Sequence, residues 1–150
     1  MRRYSGFTNQ TNTQSSTAAL FNIVGATTFR LQMYDVLCGS DATPADNAAK
    51  FAFQRSTVNF GTPTAVTPVA LDPGDPASLA LFSTPGGTAV TVTANSFPLQ
   101  WAQNQRATFR WIAAPDGEII VPATAAAGLA LMPLVATAAV NYVFTVHWKE

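Results

Sequence analysis

Val140-Asn141-Tyr142-Val143-Phe144-Thr145-Val146-His147-Trp148-Lys149 decides the fold. Val140, Tyr142, Phe144, Val146 and Trp148 fall on one side of an extended chain. Asn141, Val143, Thr145, His147 and Lys149 fall on the other. A period of two marks a β-strand, here with one apolar face and one half-polar face. That pattern suits an antiparallel sheet covered on one side. An aromatic-rich strand at a free edge invites aggregation, so this one is expected at the centre of its sheet.

The same period recurs upstream. Phe29, Leu31 and Met33 alternate with Arg30, Gln32 and Tyr34, and Phe51 and Phe53 with Ala52 and Gln54. Residues 18–24, 89–93, 97–102, 107–113 and 118–121 read as further strands. The Ala-rich stretch 123–139 resembles a helix in composition only. Gly128 and Pro133 interrupt it, and an interior proline costs a helix about 3 kcal/mol. A short strand over 128–132 is expected instead. Turn residues separate these segments. Residues 39–48 read as a loop with one helical turn after Pro44, and Leu71-Asp72-Pro73-Gly74-Asp75-Pro76 and Pro85-Gly86-Gly87 as turns. Pro115-Asp116-Gly117 reads as a hairpin turn between Ile112 and Ile119. Short strands at this spacing predict one all-β antiparallel domain, a sandwich or a barrel, over residues 18–150. Residues 1–17, rich in Ser, Thr, Asn and Gln beyond Tyr4, are expected as an extended N-terminal arm, either a frayed terminus or an arm that orders against a neighbouring subunit.

Charge is scarce. Only 11% of the 150 residues are ionised, eight of each sign, against about 25% in an ordinary soluble domain. A surface so poor in charge repels its own copies weakly and suits cover by other subunits. The neutral balance argues against nucleic acid, which calls for a basic groove. The longest apolar stretch, residues 125–136, falls short of the roughly 20 residues of a membrane helix. Polar residues, not an apolar run, follow Met1-Arg2-Arg3-Tyr4, so no secretory signal is read.

Chemistry is hard to place. One cysteine, Cys38, and one histidine, His147, cannot make a Cys/His zinc site within one chain. No phosphate loop, dinucleotide fingerprint or nucleophile elbow occurs. Asp41, Asp46, Asp72, Asp75 and Asp116 sit beside Pro and Gly, where Asp stabilises turns. No catalytic residue, cofactor or metal is expected. Arginine is more suggestive. Ala107, Phe109 and Trp111 share one face of their strand, and Arg106, Thr108 and Arg110 the other. In a chain with so few charges, Arg106 and Arg110, with Arg55 and His147, are the candidate contacts to other subunits, since the planar guanidinium favours specific cross-subunit hydrogen bonds. Trp101 reads as a buried core residue, and is otherwise the one candidate for a sugar-stacking platform.

Several stretches together resemble small proteins of tailed bacteriophages: Gly39-Ser40-Asp41-Ala42-Thr43-Pro44-Ala45-Asp46-Asn47-Ala48, Val66-Thr67-Pro68 with Leu71-Asp72-Pro73, Asn104-Gln105-Arg106-Ala107-Thr108-Phe109-Arg110-Trp111, and Gly117-Glu118-Ile119-Ile120-Val121-Pro122-Ala123. The family resembled is that of the jelly-roll head decoration (cement) proteins. The resemblance implies a homotrimer of β-sandwiches on the capsid surface, made in the host cytoplasm and clamping the major capsid protein, with no catalytic residues. The alternative is a receptor- or carbohydrate-binding module of a phage fibre.

Overall fold

The structure is a computed structural model and describes residues 1–12, 18–41, 43–135 and 140–150. It is all-β among these residues. The strands are β1 (Arg3–Asn12), β2 (Phe21–Val24), β3 (Leu31–Ser40), β4 (Ala48–Val58), β5 (Thr64–Val66), β6 (Val69–Ala70), β7 (Leu81–Thr84), β8 (Thr91–Val92), β9 (Leu99–Asn104), β10 (Phe109–Ile112), β11 (Ile119–Val121), β12 (Gly128–Pro133) and β13 (Val140–Lys149). They form two antiparallel sheets packed face to face, a β-sandwich. One has the order β10-β3-β13-β1-β6, with β11 also on β3. The other has the order β5-β7-β2-β12-β4-β8, with β9 also on β4. The strand that opened the sequence reading, β13, lies at the centre of the first sheet.

The core follows from the alternation. Tyr142, Phe144, Val146 and Trp148 of β13 and Leu31, Met33, Val36 and Cys38 of β3 point inward. They meet Phe21, Ile23, Phe51, Phe53, Phe82, Leu129 and Leu131 of the opposite sheet. Rings carry the contact: Phe51 meets Tyr142 edge-on at 4.9 Å, and Phe21 stacks on Phe82 at 4.9 Å. Each buried aromatic removes about 150–250 Å² from water, worth about 4–6 kcal/mol before ordering costs.

Three expectations change. The N-terminal segment is not a separate arm over its described part. Residues 3–12 pair with β13 along their whole length, from Arg3 opposite Lys149 to Asn12 opposite Val140. Tyr4 and Thr8 face the core, and Gly6 leaves room for the Phe82 ring, which a Cβ would meet at 2.7 Å. Residues 13–17 of the expected arm lie outside the described residues. The Pro115–Gly117 turn does not make a hairpin. It closes with Gly117 N–H donating to the Ala114 carbonyl at 2.8 Å, yet β10 and β11 both run antiparallel to β3, on Asp35–Cys38 and Leu31–Met33 respectively. The segment between them is an excursion from one interrupted edge strand. No helical turn follows Pro44; residues 43–47 run as irregular chain, and the Ala45 amide donates to the Gln105 side chain at 3.0 Å.

The two outer faces differ. On the seven-stranded sheet, Ala130 and Met132 form a second buried cluster with Ala19, Phe60 and Val90. The chain's own segments around residues 60 and 90 cover it, tied by Gly61 N–H to Thr88 O at 3.0 Å and Thr62 N–H to Gly86 O at 3.2 Å. Glycine is required there: a Cβ on Gly86 would run into the Thr62 carbonyl, and Gly87 has φ +60°. Beneath the same cover, Asn22 donates to Asn59 at 2.9 Å and accepts from Ser56 at 2.9 Å. Among the described residues, no segment covers the outer face of the six-stranded sheet in this way.

Candidate functional site: the open sheet face

The open face is read off strand register. Phe7 of β1, Thr145 of β13, Leu37 of β3 and Arg110 of β10 form one row, and Val69, Ser5, His147, Asp35 and Ile112 form the next. Apolar side chains stand in water on it: Phe7 is 54% exposed, Val69 55% and Ile112 59%. Gly39, between Thr108 and Val143, has no side chain to raise the surface. There Leu37, Gly39, Thr108, Arg110, Val143 and Thr145 line a groove of about 510 Å³.

A charged clamp holds one end of this face. Asp35 is buried and accepts two hydrogen bonds from Arg110, from Nε at 3.1 Å and Nη2 at 2.8 Å. Its Oδ2 also lies 3.1 Å from His147 Nδ1. Burial pushes the Asp35 carboxyl upward, but the hydrogen bonds and charges of Arg110 and His147 outweigh it and hold the group below its ordinary value. The same carboxylate raises Arg110. Asp35 reaches the outer face through a β-bulge. His147 pairs with Asp35 but Trp148 pairs with Met33, so Tyr34 is an extra residue on β3. The Tyr34 ring stacks on His147 at 6.1 Å and lies 5.6 Å from Lys149 Nζ, which pairs with Glu118 at 2.7 Å. The clamp ties β10 and the β10–β11 excursion to β3 and β13, and it leaves the local charges paired among themselves.

Two of the four candidate contact residues therefore meet: Arg110 and His147, on Asp35. Arg55 is elsewhere. It lies on β4 in the alternation of the core-facing Phe51 and Phe53, and its guanidinium donates across the sandwich to the Ile120 carbonyl. With Arg30, Ile120 and Pro122 it lines a shallow cleft of about 350 Å³. Burial lowers its pKa. Arg106 is exposed on the turn after β9, with Nε 3.5 Å from the Pro44 carbonyl. Trp101 is buried, stacked on Phe109 at 4.6 Å, and offers no exposed platform.

Sequence reasoning missed Asp35, Phe7 and Gly39. For Asp35 a signal existed. The apolar alternation Leu31, Met33 resumes as Val36, Cys38, one residue out of step, and that slip is the bulge. Phe7 sat inside an apparently polar arm, and nothing local marks Gly39 as a groove floor.

Comparisons of the chain with protein-family models, curated proteins and solved structures return no match.

Proposed function

We propose that this chain is a structural virion protein, a decoration (cement) protein that attaches as a homotrimer to the outer surface of a phage head and there meets the major capsid protein. One observation carries the reading. The chain covers the outer face of one sheet with its own loops, while the described residues leave the other open, with Phe7, Val69 and Ile112 more than half exposed. Phe7 and Val69 lie on the neighbouring strands β1 and β6, and with the apolar-walled groove over Gly39 they suit this face to cover by another chain. The scarcity of charge supports the same conclusion, since little has to be desolvated when the face is covered. The jelly-roll form of the sandwich is part of the proposal. It is supported by strand orders β1-β13-β3-β10 and β2-β12-β4-β9, eight strands passing between two four-stranded layers, with β5, β6 and β7 as additions at one edge.

The test has two steps: whether the genome that encodes this chain also encodes a major capsid protein, and co-sedimentation with empty heads assembled from it. Saturable binding at micromolar concentration is expected. Protein that stays in the supernatant at every concentration refutes the proposal.

A further inference from the structure

In a chain with eight acids and eight Lys or Arg residues, a charge without a partner stands out. Asp116 is one. Each of the other seven acids has a partner within the chain. The Asp116 carboxylate has neither an ion pair nor a hydrogen bond among the described residues. It stands exposed in the β10–β11 excursion, at φ +63°, in the turn that Gly117 closes on Ala114.

The cleft of Arg30 and Arg55 is the opposite case. Two guanidiniums line about 350 Å³ of space with Ile120 and Pro122, and neither meets a carboxylate among the described residues. The half-buried Arg55 guanidinium has five donors, and among the described residues only the Ile120 carbonyl takes one. Burial lowers its pKa, and no nearby acid offsets the shift. Arg30 is exposed. Apolar walls focus the field of charges set between them. A carboxylate is the group that fits, since its two oxygens match the planar fork of a guanidinium.

Loop and cleft share one edge of the sandwich. β11 pairs with β3 alone, the excursion leads into it, and Ile120 and Pro122 carry the cleft. At about 3.3 Å per residue, the strand from Ile119 to Pro122 holds the two roughly 10 Å apart, so Asp116 does not reach its own cleft. A projecting acid and a cationic cleft on one edge are the two unlike patches of a head-to-tail contact, the kind that closes into a ring.

We propose that Asp116 of each copy enters the Arg30–Arg55 cleft of the next, closing a head-to-tail ring of three along the free β11 edge. The proposal rests on the homotrimer proposed above and names its contact. It leaves Phe7, Val69 and the groove over Gly39 to the shell.

Sedimentation equilibrium of the full chain tests it, at concentrations from below one micromolar to a hundred. The wild type should approach three times the 15.8 kDa monomer mass. Asp116→Asn keeps the turn, because Asn tolerates positive φ, and Arg30→Gln alters an exposed side chain. Each should lower the trimer's association constant about 1,000-fold, roughly tenfold at each of three junctions. The double variant should be about as weak as either single one, since groups that meet are not additive. Arg106→Gln, also exposed, should assemble as the wild type does; an equal loss there would assign the effect to net charge and overturn the site. Matching circular dichroism spectra establish that each variant folds. Arg30→Lys keeps the charge and supplies an amine. A carbodiimide should then join positions 30 and 116 between copies, giving covalent trimers on a denaturing gel and a cross-linked peptide by mass spectrometry. A trimer that is indifferent to both single variants, or that yields no such link, overturns this contact and leaves the homotrimer standing. A wild type that stays monomeric overturns both, while co-sedimentation with heads judges attachment separately.

Discussion

Replacing Asp35 by Asn keeps the shape of the side chain and removes its charge. In the wild type, Asp35 faces three donors at 2.8–3.1 Å, two from Arg110 and one from His147. A hydrogen bond to a charged group is worth about 1.5–3 kcal/mol when both partners are dry. Here the Arg110 side chain is 56% exposed, so its donors return to water when released, and much of that worth is screened. Asn also retains one acceptor. The expected loss at pH 7 is therefore about 1–2 kcal/mol, or about 2–8 °C in melting temperature for a chain of this length. The pH dependence follows from the folded carboxyl titrating below its ordinary value of 3.8. A depressed carboxyl contributes stability that is complete above the unfolded pKa and lost as pH falls through the folded one. The gap between wild type and Asp35→Asn should thus be constant from pH 7 down to about 5 and shrink below about 4. Urea unfolding across this range, at fixed ionic strength, measures it. A variant as stable as the wild type at pH 7, or a gap that survives unchanged at pH 3, would refute the clamp as described.

Two further outcomes are expected. Among the described residues, the Tyr142 hydroxyl is buried with no hydrogen-bond partner, and burial with a contribution from Cys38 pushes its pKa up to about 12; Tyr142→Phe should leave stability unchanged or raise it by up to about 2 kcal/mol, and a loss beyond 1 kcal/mol in urea unfolding would contradict the assignment. Cys38 is pushed up to about 12 by burial, only partly offset by the Gln103 amide; at pH 8 a disulfide thiol reagent should react with the native protein about 1,000-fold more slowly than with the urea-unfolded chain, and equal rates would place the thiol at the surface.

How far each element was legible depended on how many side chains it places in the core. β13 sends five of ten residues inward and carried the strongest pattern; β12 was found by the proline and glycine that exclude a helix there. β5 and β6 are three and two residues long at sheet edges, and β7 buries only one aromatic, Phe82, so no period could emerge. β1 looked like an arm because its inward positions, apart from Tyr4, hold Gly6 and Thr8. Gly6 is there for the Phe82 ring, a neighbour 76 residues away in the chain.

What the sequence determined by itself was local: alternation, turn residues and scarcity of charge, which together require strands, two-sided packing and a surface fit for cover. What only tertiary structure decided was which face stays open. Covering loops from distant segments close one sheet, while a one-residue bulge turns Asp35 outward between Arg110 and His147. Such placements depend on register between strands far apart in the chain. A single slip there exchanges inside for outside, and no local pattern records it.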